Sequence, residues 1–422
     1  MAFHFNFIMD LTQSFKKSEL CISAILLCYT ALTILFTTIE AVYQSIDKGS
    51  WRFTEFLINY HGGYVRRGLI GEILYFLKQR LDIEPILIIW ILCILSSLAV
   101  SWILIHQFRK GNLSLWVLPL CSCLSGADFL RKDFTCYLLI AAWLYTYSKK
   151  INTPFKLLLI NSIGILLFNI HEASFFIVFP FAFLCLLTEP HTKRSYHYLT
   201  ILIQGIAFGI VILNKGDTTI ARKIQDSWAL YYPNPFAKEL ITTIQSIGWE
   251  TEKTILMHLH ENFLRSSFGI QGWFSKPIVW ASTFFIIPNL LFRKYSFTYR
   301  KESVEVRNFL ALLIIQFVSL SPLFFFLSCD PVRILSYWTI STFLIYTFIP
   351  DKIGFCYPVC LRKITERVQQ FIFFRQSLAL SIAGMFFLCI SFTCTDVKDA
   401  FYRSIVGTFY RFGECLYSHF WG

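Results

Sequence analysis

Residues 157–188 read LLLINSIGILLFNIHEASFFIVFPFAFLCLLT. Two apolar runs, 157–170 and 174–188, flank one titratable pair, His171-Glu172. A helix on a soluble surface hides one apolar stripe and shows water a polar face. Neither run has a polar face, so each needs lipid or protein on every side. The stretch therefore reads as a hairpin of two membrane helices with charge at its tip. Each run is shorter than the roughly 20 residues of a straight span. The tip is then recessed below the headgroups, where an ionised side chain is costly unless it faces a polar cavity.

The rest of the chain fits this reading. Of 422 residues, 55% are hydrophobic, 18% aromatic and only 15% charged, with a mean hydropathy of +0.56. Soluble domains carry roughly 25% charged residues. Apolar runs lie near 20–41, 84–106, 113–127, 134–148, 157–170, 174–188, 198–214, 278–292, 308–328, 334–349 and 377–395. They predict an all-α fold: a polytopic helical membrane protein with about 11 transmembrane helices, forming one transmembrane domain over residues 1–422. The four runs between 113 and 188 are only 14 or 15 residues long, which predicts two short recessed hairpins. A first outer loop, 42–83, ends in an interfacial helix from about Leu69 to Leu81, and a large outer helical loop covers 215–277.

The net charge of +12 comes in short basic clusters between apolar runs, as membrane topology requires, and not as a stripe for nucleic acid. Nineteen Lys and Arg fall on one side of the predicted spans, against three at the short tips near 128–133, 171–172 and 330–333. Positive residues stay cytoplasmic. The N-terminus is predicted inside, with its first apolar run a signal anchor, and the C-terminus outside. Most cysteines sit in apolar runs as small hydrophobes; Cys356 and Cys360 lack the second pair that a metal site needs.

Four polar constellations lie on the outer side. His61-Gly62-Gly63-Tyr64-Val65-Arg66-Arg67-Gly68 pairs glycines, which let backbone approach a ligand, with adjacent arginines whose planar forks grip phosphate. The helix that follows would turn its N-terminus to the same anion. The bland reading is a lipid-phosphate anchor. Asp128, Arg131 and Asp133 form the first tip, either a self-satisfied salt bridge or a carboxylate base beside a phosphate-binding arginine. At the second tip, burial should raise the pKa of Glu172 and suit it to proton transfer beside His171, unless the pair only locks helix packing. Asp330 and Arg333 repeat the spacing of Asp128 and Arg131 at a third tip. Three charged tips on one side favour a shared polar cavity.

No Walker loop, HExxH pair or G-x-S-x-G elbow occurs, and no metal or other cofactor is indicated. The ensemble resembles polytopic glycosyltransferases that use polyprenyl-linked sugars: the bacterial O-antigen and capsule repeat-unit polymerases and the wider GT-C group. The likeness lies in the spans, the enlarged outer loop late in the chain, and the acidic and arginine residues at outer helix ends. The GT-C group places an acidic residue in its first outer loop, which Asp47 or Glu55 would match, and the polymerases share outer arginines, for which Arg66, Arg67 and Arg265 stand.

The resemblance implies a multi-pass protein of the bacterial inner membrane that elongates O-antigen or capsule polysaccharide, working beside a flippase and a chain-length regulator. Glu172, then Asp128, would take the acceptor proton, with His171 at hand. Arg66, Arg67, Arg131 and Arg333 would stabilise the leaving diphosphate, and His61, Asp133, Asp330 and Arg265 would contact substrate. Two other readings compete: a transporter or flippase of lipid-linked saccharide, whose charges should be reachable from both sides, and a membrane acyltransferase with His171 as base.

Overall fold

The computed structural model describes residues 24, 28, 31, 32, 51–109, 131–188, 194–232, 242–260, 304–328, 331–353 and 405–420. Among these, every regular element is a helix. A helical turn, Trp51–Thr54, runs into a 3-10 turn, Glu55–Leu57. The main helices are α1 (Gly68–Leu81), α2 (Pro85–Arg109), α3 (Asp133–Ser148), α4 (Thr153–Ile170), α5 (Ser174–Thr188) and α6 (Arg194–Leu213). After them come α7 (Thr218–Ala229), α8 (Thr251–Leu259), α9 (Val304–Pro322), α10 (Pro331–Phe348) and α11 (Ile405–Phe420). The last turn of α9 continues as a π-helical turn, Leu323–Leu327.

Among the described residues, three helices are long and apolar enough to cross a membrane: Pro85–Ile103, Thr153–Ile170 and Ser195–Leu213. Ser174–Leu187 and Ala311–Leu327 are apolar but shorter. Of the apolar runs, 20–41, 113–127, 278–292 and 377–395 lie wholly or largely outside the described residues. One expectation is corrected. The run 157–170 belongs to an 18-residue helix, because Thr153-Pro154 starts α4 a turn earlier, with Pro at a position whose N–H needs no partner. α3 and α5, at 16 and 15 residues, remain short.

The packing inverts that of a soluble bundle. On α2, Leu87, Ile91, Leu95, Leu98 and Trp102 recur at helical spacing on the exposed side. Ile89, Cys93, Ser96 and Val100 form the buried side, where small side chains let α3 come close. α3 packs between α2, α4 and α10, while α9 packs on α5 and α10. An aromatic cluster joins α4, α5 and α6: the rings of Phe175 and Phe208 stack at 3.9 Å, with Phe168 and Phe179 at 4.7 Å. Pro180 lies inside α5 and has no N–H for the carbonyl of Phe176. The hydroxyl of Ser319 on α9 donates to that carbonyl instead.

The described parts of segments 42–83 and 215–277 pack against each other. Ala221, Ile224 and Trp228 form the buried stripe of α7, whose N-cap Asp217 accepts from the Ile220 N–H at 2.8 Å. Trp228 Nε1 donates to the Leu57 carbonyl at 2.7 Å, Asn59 Nδ2 to Ser227 Oγ at 3.0 Å, and Thr54 Oγ1 to Thr243 Oγ1 at 2.8 Å. α1 begins at Gly68, as the predicted interfacial helix does to within one residue, and packs on the Glu55–Leu57 turn. That contact requires Gly71, because a Cβ there would stand 1.9 Å from the Ile58 carbonyl oxygen.

Candidate functional site

The starts of α3, α5 and α10 and the end of α4 meet at one end of the bundle, beneath the segment that holds Glu55 and Arg66-Arg67. Their charged groups are largely buried. At the heart of the site, Arg333 on α10 donates Nε to Asp133 Oδ2 at 2.7 Å and Nη2 to Asp133 Oδ1 at 2.8 Å. Planar guanidinium and carboxylate match in this two-pronged way. Tyr337, one helical turn further on, donates its hydroxyl to Asp133 Oδ1 at 2.7 Å.

Glu55 is fully buried. Its Oε1 lies 3.5 Å from Arg333 Nη2 and 3.6 Å from His171 Nε2. Its Oε2 has no hydrogen-bond partner among the described residues. Burial pushes this carboxyl's pKa up, but Arg333, His171, Arg67 and Lys132 outweigh it and hold the pKa at about 2. Glu55 is therefore ionised at neutral pH with one oxygen open.

Glu172 sits at the second tip. Arg67 Nε donates to Glu172 Oε2 at 2.8 Å and Arg67 Nη2 to Oε1 at 2.5 Å, while Arg66 Nη1 reaches Oε1 at 3.3 Å. The expectation of a raised pKa is overturned. Burial does raise it, but Arg67 and Arg66 prevail and drive it well below the ordinary carboxylate value. The physical reason is that 105 residues separate Glu172 from Arg67, so the opposing charge is invisible from the tip's own sequence.

His171 shares the same space. Its Nδ1 faces the Ala173 N–H at 3.2 Å, and its Nε2 faces an N–H of Arg333 at 3.2 Å. A neutral imidazole has one acceptor nitrogen, so one tautomer satisfies only one of these donors, and an imidazolium satisfies neither. Burial and then Arg67 lower its pKa to about 4. His171 is a neutral ring here and a weak base.

Lys132 is fully buried and donates Nζ to the Arg67 carbonyl at 2.9 Å. Arg131 adds positive charge that acts on Asp133. Among the described residues, five basic side chains (Arg66, Arg67, Arg131, Lys132 and Arg333) thus act on three carboxylates (Glu55, Asp133 and Glu172). With His171 neutral, these described groups carry two positive charges in excess. Such an excess in a poorly hydrated place attracts an anion of two or more charges. Among the described residues, no group of three His, Cys, Asp or Glu is arranged to hold a metal ion.

The structure thus brings together Arg66, Arg67, Arg131, Asp133, His171, Glu172 and Arg333 of the predicted residues. Arg333 pairs with Asp133, 200 residues away, and Asp330, Asp128 and Arg265 lie outside the described residues. His61 is exposed with its ring 5.4 Å from Tyr75, apart from the charge cluster. Of the paired glycines, a Cβ on Gly62 would meet the Ile220 carbonyl oxygen at 2.8 Å, whereas Gly63, which turns the chain with φ +122°, faces open space. Sequence reasoning missed Lys132 and Tyr337 as site residues, and admitted Glu55 only through the resemblance. Lys132 and Asp133 together before an apolar run were the available signal. No family model, curated protein or solved structure matches this chain.

Proposed function

We propose that this protein is a membrane-embedded glycosyltransferase that uses polyprenyl-diphosphate-linked saccharides at the non-cytoplasmic face, elongating a surface polysaccharide such as O-antigen or capsule. The observation that carries the reading is the buried cluster whose described groups carry two excess positive charges, with one carboxylate oxygen, Glu55 Oε2, without a hydrogen-bond partner among the described residues. In this reading about eleven spans hold the chain in a bacterial inner membrane, N-terminus in and C-terminus out. A flippase and a chain-length regulator are the natural partners.

The chemistry follows from the charges. A lipid diphosphate delivers an activated sugar in the plane of the membrane. As the glycosidic C–O bond to the diphosphate breaks, negative charge grows on the leaving oxygens. Arg66, Arg67 and Arg333 neutralise it without reorganising solvent. The acceptor hydroxyl attacks the anomeric carbon and gives its proton to a carboxylate. Glu172 is held by two arginines, so this role passes to Glu55, whose Oε2 is unpartnered. A carboxylate of low proton affinity is ready at neutral pH, and it accepts the proton only once C–O bonding has made the hydroxyl strongly acidic.

The test is Glu55→Gln in purified protein reconstituted with a synthetic polyprenyl-diphosphate oligosaccharide, with product length read on a gel. The variant should lose about 100-fold or more in rate while remaining folded. Wild-type rates in a folded Glu55→Gln protein would dismiss Glu55 as the base. A wild-type protein that carries the lipid-linked saccharide across a vesicle membrane without joining sugars would favour transport.

A further inference from the structure

Beyond adding its charge to the cluster, Lys132 has no task in the chemistry above, yet an ammonium is a costly group to bury. It is wholly shielded from solvent, its ammonium 5.8 Å from the centre of the Phe56 ring. It makes no salt bridge among the described residues, and its one hydrogen bond goes to a neutral carbonyl, that of Arg67. Burying an ammonium without a close counter-charge is strongly unfavourable. A leucine or methionine would fill the same space at lower cost, so the carbonyl is the place to look for a reason.

That carbonyl belongs to a residue in an unusual conformation. Arg67 has φ +66° and ψ 7°, in the left-handed region that non-glycine residues seldom enter, and it is the N-cap of α1. Its side chain makes no capping hydrogen bond. The left-handed turn swings the guanidinium away from α1 and onto Glu172. Lys132 comes from the other side of the site, one residue before α3, and takes hold of the backbone where the turn is made.

We propose that Lys132 is a positioning residue: its hydrogen bond to the Arg67 carbonyl locks the left-handed turn that aims the Arg67 guanidinium into the anion site. The inference rests on the reading of that site as a diphosphate seat for the predicted consequence on binding, but not for its structural half. Lys132 acts through Arg67 and touches no reacting atom.

Two measurements on full-length protein in detergent micelles test it. The first is the Nε–H resonance of Arg67 in protein labelled with 15N-arginine, assigned from its disappearance in Arg67→Lys. The second is the affinity for inorganic pyrophosphate. In Lys132→Met, the Arg67 resonance should leave the position of a carboxylate-bound guanidinium, and pyrophosphate should bind about tenfold to a hundredfold more weakly, as misplacement of a binding group by an ångström costs. Lys132→Arg, which keeps a charged donor of similar reach, should restore both. An unmoved Arg67 resonance in folded Lys132→Met overturns the proposal, and so does failure of Lys132→Arg to restore it. If Lys132→Met does not fold, Lys132→Gln, uncharged and too short to reach the carbonyl, is measured with the same two outcomes. Absence of pyrophosphate binding in the wild type defeats the diphosphate reading, and the resonance alone then decides for or against Lys132.

Discussion

Replacing Arg333 by methionine should destabilise the protein by about 3–5 kcal/mol, the usual cost of removing one partner from a buried ion pair. The structure sets that scale. The side chains of Arg333 and Asp133 are 16% and 10% exposed, so solvent screening is weak. The substitution removes two charge-assisted hydrogen bonds, of 2.7 and 2.8 Å, each worth about 1.5–3 kcal/mol. Among the described residues Asp133 keeps one hydrogen bond, from the Tyr337 hydroxyl at 2.7 Å, and Glu55 loses its contact at 3.5 Å. Most of the cost is thus the stranded carboxylate, not the lost attraction. Removing both charges, in Arg333→Met with Asp133→Leu, should therefore cost at least about 2 kcal/mol less than the sum of the single changes. Denaturant unfolding in detergent micelles, followed by tryptophan fluorescence, gives the four free energies of the cycle. Additive single changes, or an Arg333→Met protein within about 1 kcal/mol of wild type, would refute the reasoning.

Two further changes test other parts of the account. The folded-state pKa of His171, about 4, lies below its ordinary 6.5, so the folded state resists the proton. Its contribution is complete above pH 6.5 and is lost as pH falls towards 4, by about 3 kcal/mol for a shift of this size. The depressed Glu55 and Glu172 carboxylates add their own loss below about pH 4.5. Arg67, Glu172, Arg333 and Glu55 face the ring, and His171→Gln should flatten stability between pH 6.5 and 4; an unchanged slope there contradicts the buried neutral ring. Gly71→Ala should cost more than about 2 kcal/mol, because its Cβ would fall 1.9 Å from a backbone oxygen that cannot rotate away. A neutral effect on the unfolding midpoint would mean that the Glu55–Leu57 turn does not sit on α1 as described.

Apolar length and charge spacing are local properties, and they were readable from the chain. The run before His171 and the run after it announced α4 and α5, and the glycine-rich segment before Leu69 announced the start of α1. The apolar run 157–170 is too short for a span by itself, and the missing turn lies in Thr153-Pro154-Phe155-Lys156, polar enough to look like a connector. The gathering of three charged tips on one side was foreseeable for the same reason, since ionisable groups at membrane depth must share a polar environment.

The pairing of those charges was not. Coulomb energy depends on distance in space, and the partners are separated by 105 residues for Arg67 and Glu172 and by 200 for Arg333 and Asp133. Read alone, the tip around Glu172 says only that a carboxyl is buried, which raises its proton affinity. The folded chain adds Arg66 and Arg67, and the sign reverses. The same fold puts Glu55, inconspicuous in a mixed outer segment, at the centre of the cluster, with Lys132 beneath the turn at Arg67. Helices and their ends follow from neighbours along the chain; proton affinity and anion binding follow from neighbours across it.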